Sequence, residues 1–329
     1  MKIGFVSTNK SLSVGSYRIW VNDLNDYFNS IGVQSKILDN TDNFENYDTL
    51  IFSKNDVGHI QRIKNQFPNK KYGAINLASD KTNIGQDFII VGSIEEKISL
   101  SHYENVFMFP LVENLFQNCG IKEHTKKDPL VIGCHGSYTH LCKFSPYLNR
   151  AIEDFSKERK IKLNIVTSPD FNGWKIGIPN IKNIEISLWD INTFKDKISE
   201  SDIGIVPNIT SQTAAQFDHI SNDPDLGLYS TDYMIRFKNK SNAGRSFVFH
   251  QLGIPVIADI TPSNFHILGD ETCGFLAHYK DSWLNALRCL SSPNARQEIA
   301  NNAKTRFDKY YDPLQWAQKL YDNIREIKK

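Results

Sequence analysis

The sequence lacks the features that would take it out of an ordinary cell interior. No apolar run approaches the ~20 residues that span a bilayer, so no transmembrane helix is expected. The opening residues, MKIGFVSTNK, enter a short apolar stretch at once, without an h-region or a small-residue cleavage site. A secretory signal is therefore not expected. The five cysteines, Cys119, Cys134, Cys142, Cys273 and Cys289, form no Cys-x-x-Cys pair and are odd in number. That pattern argues against a disulfide framework or a zinc site and for a reducing compartment. An excess of one charge is lacking too. The formal net charge is +1, which argues against nucleic acid as the main partner. The glycine fingerprint of dinucleotide-binding proteins is absent, and so are low-complexity segments. A cytoplasmic protein is expected, with peripheral contact at the inner face of a membrane left open.

What is present is a regular alternation. The 329 residues exceed what one core usually serves, so two domains are expected. IGFV, VQSKIL, DTLIFSK, KKYGAINL, DFIIVGS and NVFMFP read as strands with a helix between most of them. YRIWVNDLNDYFNSIG carries Trp20, Leu24, Tyr27, Phe28 and Ile31 at helical spacing and stops at Gly32. The polar stretch Leu111 to Pro129 has no period and reads as a linker. A second alternation follows: PLVIGCHGS, KLNIVTS, IGIVPN, PVIA and CGFLA. Two helices end the chain, the second starting with Asp312 as cap and Pro313 in the first turn. The expected class is α/β, with two Rossmann-like domains: residues 1–112, joined by a C-terminal helix over 312–329, and residues 129–311.

Parallel sheets bind ligands beyond the carboxyl ends of their strands, so the residues just after each strand are the candidates. In IGCHGSYTH, Gly133, Gly136 and Ser137 let a backbone approach a phosphate, and His135 and His140 reach sugar or phosphate oxygens. A tight turn with a polar rim would look the same. Gly15 and Arg18 open the first helix and suit an anionic or polyhydroxyl ligand; a solvated arginine in a surface loop is the other reading. Asp56 and Asp80 follow strands where a general base would sit, or they cap strand ends. Asn208 ends IGIVPN. The long polar loop after it holds Asp218, His219 and Asp232 at no metal-ligand spacing, and no metal is expected.

The strongest signal is KNKSNAGRSFVFHQLGIPVIAD. Lys238, Lys240 and Arg245 crowd a helix start that Ser241 or Asn242 would cap. Cations at the positive end of a helix repel it. The arrangement becomes favourable when a phosphate arrives. Lys240, Asn242 and Arg245 are therefore the candidate phosphate ligands.

With these residues in view, the chain resembles the GT-B glycosyltransferases, in particular the group-1 glycosyltransferase family. GRSFVFHQLGIPVIAD followed by ILGDETCGFLAHYKDSWLNAL is the specific part; SDIGIVPN, PLVIGCHGS and the N-terminal strand, loop and helix are similar to its other landmarks. The resemblance implies two Rossmann-like domains facing a central cleft, with the last helix crossing back to the first domain. It implies metal-independent transfer of a sugar from a nucleotide-activated donor, used as substrate with no further cofactor, to a glycan or lipid-linked acceptor. In an inverting enzyme Asp80, Asp56 or His135 would be the base. The family's two glutamates, eight positions apart, are replaced here by Lys240 and Val248. The donor must therefore be held differently. A nucleotide-sugar epimerase or hydrolase, and a non-catalytic binding homologue, are the other readings.

Overall fold

The computed structural model describes residues 1–77, 84–138, 144–168, 177–208 and 243–328. The chain forms two compact units. The first is built on Met1–Gln117 and Phe307–Lys329, the second on Asn118–Ser241 and Arg245–Arg306 in their described residues.

The first unit holds six parallel strands in the order β2-β1-β3-β4-β5-β6. These are β1 (Ile3–Val6), β2 (Ser35–Leu38), β3 (Thr49–Phe52), β4 (Lys71–Ile75), β5 (Phe88–Val91) and β6 (Val106–Met108). Side chains alternate across a strand, and both faces are covered, which is why the strands read as unbroken apolar runs. Ile3, Phe5, Ile51, Phe88 and Ile90 enter one core. Val6, Leu50, Phe52, Ile89 and Val91 enter the other. The first helix, α1, is a short α-turn (Gly15–Tyr17), a π-helical stretch (Arg18–Asp23) and an α-helical end (Leu24–Ser30). The π-helical stretch is not visible in the apolar spacing. Helices α2 (Ile60–Gln66) and α3 (Ile94–Ser99) complete the unit. It is closed by the last helix, α10 (Pro313–Glu326), which starts as its sequence predicts. Asp312 Oδ1 accepts from the amides of Leu314 at 2.7 Å and Gln315 at 3.2 Å, with Pro313 in the first turn. Ala317, Leu320 and Ile324 of α10 are buried in the same core as Phe5 and Phe28. The last helix thus belongs to the first unit.

The second unit has the order β12-β11-β10-β7-β8-β9, again all parallel. Its strands are β7 (Leu130–Gly136), β8 (Ile161–Thr167), β9 (Ile184–Leu188), β10 (Ile203–Val206), β11 (Val256–Asp259) and β12 (Phe275–Ala277). Among its described residues the helices are α4 (Pro146–Glu158), α5 (Phe194–Ser199), α6 (Gly244–Gln251), α7 (Pro262–Leu268), α8 (Lys280–Cys289) and α9 (Pro293–Tyr310), with Gly244 and the residues from Phe307 onward grouped with the first unit. β9 was not expected. It is an edge strand with half-exposed alternation, so it lacks the apolar run that marks its neighbours. The chain lays down β7, β8 and β9 outward, then returns to β10 on the other side of β7. The strand order therefore reverses between β7 and β10, the place where an open α/β sheet leaves a crevice.

Two glycines fix local geometry. Gly204 in β10 lies flat on the Phe249 ring, where a Cβ would come within 2.5 Å, so α6 packs directly on the strand. Gly253 turns the chain from α6 into β11 at φ +65, with the Ile121 and Lys122 backbone 2.7 Å from where a Cβ would be. The stretch read as a linker is fastened at both ends. Leu111, Val112 and Phe116 are buried in the first unit. In the second unit Lys122 Nζ donates to the carbonyls of Ser199, Glu200 and Ser201 at 2.9, 3.1 and 2.7 Å.

Candidate functional site

The carboxyl ends of β7, β10 and β11 bring three of the expected residues together. Arg245, the second residue of α6, is buried at 9 % exposure. One terminal nitrogen, Nη2, donates to Pro207 O at 2.7 Å and to Asn208 Oδ1. The other, Nη1, is buried without a hydrogen-bond partner, and so is Nδ2 of Asn208. Two donors of one small cluster thus lack acceptors, in a setting where an unpaired buried donor costs about 1–3 kcal/mol. Burial disfavours the charged guanidinium; the Asp259 carboxylate offsets this in part. A guanidinium does not give up its proton in proteins, so this unfavourable setting becomes a demand for an anion. An anion at the first turn of α6 would also meet the positive end of the helix dipole.

His135 stands beneath this point. Its ring packs against Phe194 and Phe249 at centroid distances of 5.3 and 5.2 Å, and Nε2 meets Arg245 O at 3.3 Å. At 6 % exposure it supports the start of α6. Gly136 ends β7 at φ +137, a backbone that favours glycine, and Ser137 follows, exposed. Gly133 has another task from the one expected: it makes room for Ser201, whose Oγ lies 2.0 Å from where a Cβ would be. Farther along the same edge Trp189 follows β9, half-buried, with its ring 5.6 Å from Phe194. Cys134 is a core thiol pushed up to about 11 by burial, with Arg245 acting against that shift.

Asp259 and Asn264 complete the cluster, and neither was picked out in the sequence. Asp259 Oδ2 accepts the Asn208 amide at 2.6 Å. Asn264 Nδ2 donates to Asp259 O at 2.9 Å, and its Oδ1 accepts from Ser246 Oγ at 3.1 Å. Asp259 is the last residue of β11, so the rule that selected Asn208 applies equally to it.

In the first unit the expected residues have other partners. Arg18 is buried; Nη2 and Nε donate to Glu113 Oε2 at 2.9 and 3.2 Å, and Nη1 to Leu12 O at 2.7 Å. It is neither a solvated arginine nor one opened toward a ligand. Gly15 lies just ahead of it, half-buried at the start of α1. Asp56 ties two strand ends: Oδ2 accepts from Ser53 Oγ at 2.6 Å and the Thr8 amide at 3.2 Å, and Oδ1 from Thr8 Oγ1 at 2.8 Å. These bonds clasp the residues after β1 and β3. Near Arg18, Asp23 accepts the Asn114 amide at 3.0 Å and is pushed up to about 6 by burial. Burial also raises Glu113, against the pull of Arg18. Asp80, Lys240 and Asn242 lie outside the described residues, as do His140, Lys238 and the loop with Asp218, His219 and Asp232. Among the described residues no group of His, Cys, Asp and Glu is placed to hold a metal ion, and no helix is long and apolar enough to cross a membrane.

Two parallel six-stranded sheets with helices, closed by a C-terminal helix on the first unit, define the GT-B glycosyltransferase fold. Solved structures of that fold superpose over almost the whole chain. Sucrose-phosphate synthase from Thermosynechococcus elongatus matches at TM-score 0.66 and 11 % identity, over 99 % of this chain and 98 % of that one. HepE of Anabaena, in complex with UDP and glucose, matches at TM-score 0.62 and 10 % identity, over 99 % of each chain. A DNA-modifying β-glucosyltransferase matches at TM-score 0.60 and 12 % identity, over 99 % of this chain and all of that one. No family model and no curated protein sequence matches.

Proposed function

We propose that the protein transfers a glycosyl group from a nucleotide-activated donor to a glycan or glycolipid acceptor. The observation that carries this reading is Arg245: a buried cation on the first turn of α6, at the sheet edge, with Nη1 unpartnered. As the glycosidic bond to the leaving nucleotide breaks, its terminal phosphate gains negative charge. Arg245 Nη1, Asn208 Nδ2 and the start of α6 are donors already in place for that charge. Such preset donors stabilise a transition state without reorganising during the reaction. Lys240 and Asn242, which precede the helix in sequence, are proposed as further phosphate ligands, and Gly136 and Ser137 as backbone contacts. Asp80 is the proposed base if the enzyme inverts, because Asp56 and His135 are held in buried contacts of their own. The superposed structures supply the chemical class of donor: UDP occurs in the HepE complex, and comes to this chain as part of the proposal. Transfer is proposed to need no metal, and an acceptor at the inner face of a membrane is part of the same reading.

The test is a thermal-shift and calorimetric panel of UDP, GDP, CMP and their sugars, with and without EDTA. At least one nucleotide is expected to stabilise the protein and to do so equally with EDTA present. Stabilisation by none of them would remove the donor site and the reading with it.

A further inference from the structure

We infer that Asp259 is a positioning residue that sets where the free edge of the Arg245 guanidinium points, an inference that rests on the donor-site reading above. The links are short and buried. Asp259 Oδ2 accepts the main-chain amide of Asn208 at 2.6 Å, and both residues are nearly inaccessible, at 1 % and 6 % exposure. Asn208 Oδ1 and the carbonyl of Pro207 are the two acceptors that hold Arg245 Nη2. Asp259 thus fixes the Pro207–Asn208 dipeptide, and the dipeptide fixes the arginine. With Nη2 held on both acceptors, the planar guanidinium has one orientation, and Nη1 is left without a partner. The main chain of Asp259 is anchored as well. Its carbonyl accepts from Asn264 Nδ2, and Asn264 Oδ1 accepts from Ser246 Oγ on α6, next in sequence to Arg245.

The carboxylate therefore acts in two ways. Its oxygen orients the Asn208 amide, and its charge is a counter-ion for the guanidinium within the same cluster. It is not a ligand for the donor. An anion bound to Arg245 Nη1 would be repelled by the Asp259 charge, so the carboxylate helps binding only through the geometry it imposes. This makes a clean distinction between two substitutions. Asp259→Asn keeps an acceptor oxygen for the Asn208 amide and removes the charge. Asp259→Ala removes both and leaves a buried amide unpaired, which lets the Pro207–Asn208 dipeptide turn.

The experiment is a double-mutant cycle on the affinity for UDP, and separately for inorganic pyrophosphate, by calorimetry, with each variant checked for folding by its thermal transition. Asp259→Ala is expected to weaken both ligands about tenfold, the scale of one lost hydrogen bond to a charged group. Asp259→Asn is expected to stay within about threefold of wild type, since the acceptor is kept. In an Arg245→Ala background, Asp259→Ala is expected to cost clearly less, no more than about threefold, because only the Asn208 Nδ2 contact is left for it to disturb. Asp259→Ser, too short to reach the amide, replaces the alanine if that variant does not fold. Equal losses in both backgrounds, no loss in the wild-type background, or an asparagine variant as weak as the alanine would overturn the inference while leaving the donor site standing. A wild-type protein that binds neither UDP nor pyrophosphate would remove both.

Discussion

Removing the Arg245 side chain should separate binding from stability. Arg245→Ala deletes the donor Nη1 that awaits an anion, together with the two bonds from Nη2 to Pro207 O and Asn208 Oδ1. A hydrogen bond to a charged partner contributes about 1.5–3 kcal/mol. At 1.4 kcal/mol per decade, UDP affinity should fall by about 10- to 100-fold. Stability of the unliganded protein responds to opposing terms. The two lost bonds, and the loss of the counter-charge facing Asp259, destabilise. The removal of a desolvated cation with one donor already unpaired stabilises. The net change should be within about 2 kcal/mol, a few degrees of Tm in a chain of this size. Arg245→Lys, which keeps the charge and loses the fork, should fall between wild type and alanine. Calorimetric titration with UDP gives the affinity, and urea unfolding without ligand gives the stability. A variant that binds UDP as tightly as wild type, yet is several kcal/mol less stable, would refute the argument. It would show Arg245 to be a structural cation whose Nη1 serves no ligand.

Two further outcomes concern the first unit. Arg18→Ala leaves Glu113 as an uncompensated buried charge, and removing one partner of a buried pair costs about 3–5 kcal/mol. Urea unfolding should show that loss while nucleotide affinity stays within about twofold of wild type; the opposite pattern would return Arg18 to the ligand. Asp23, pushed up to about 6 by burial from an ordinary 3.8, binds its proton more tightly folded than unfolded. Stability should therefore decline as pH rises from about 4 to 6, by about 3 kcal/mol for a shift of this size, and then level off. Asp23→Asn should lose that slope. Parallel pH profiles for the two proteins between pH 4 and 6 would contradict the burial argument.

The sequence made the sheets legible because a parallel sheet covered on both faces needs apolar residues at nearly every strand position. IGFV, TLIF and FIIV are such runs. β9 was missed although IEISL alternates, because it is short, carries polar residues and lacks the unbroken apolar run that marks the other strands. Arg245 stood out for a physical reason: a cation at a helix start contradicts the dipole unless an anion is expected there. Arg18 showed the limit of the same reasoning. An arginine beside a glycine at a helix start has no label saying that Glu113, 95 residues away, will take its charge. For Asp56 the sequence left a general base and a strand-end cap as alternatives, and only the convergence of Thr8 and Ser53 on it chose the cap.

By itself, then, the amino-acid order determined the alternation of strands and helices, the start of the last helix at Asp312-Pro313, and the mismatch of charge at Arg245. These are local: each follows from side-chain periodicity, a proline's fixed φ, or a helix dipole acting over one turn. Which carboxylate faces which cation was decided only by tertiary structure. Glu113 reaches Arg18 from beyond β6, Thr8 reaches Asp56 because β1 pairs with β3, and Asn208 reaches Arg245 because β10 pairs with β11, the strand that follows α6. A buried charge is worth what its neighbours make it, and neighbours are a property of the folded chain.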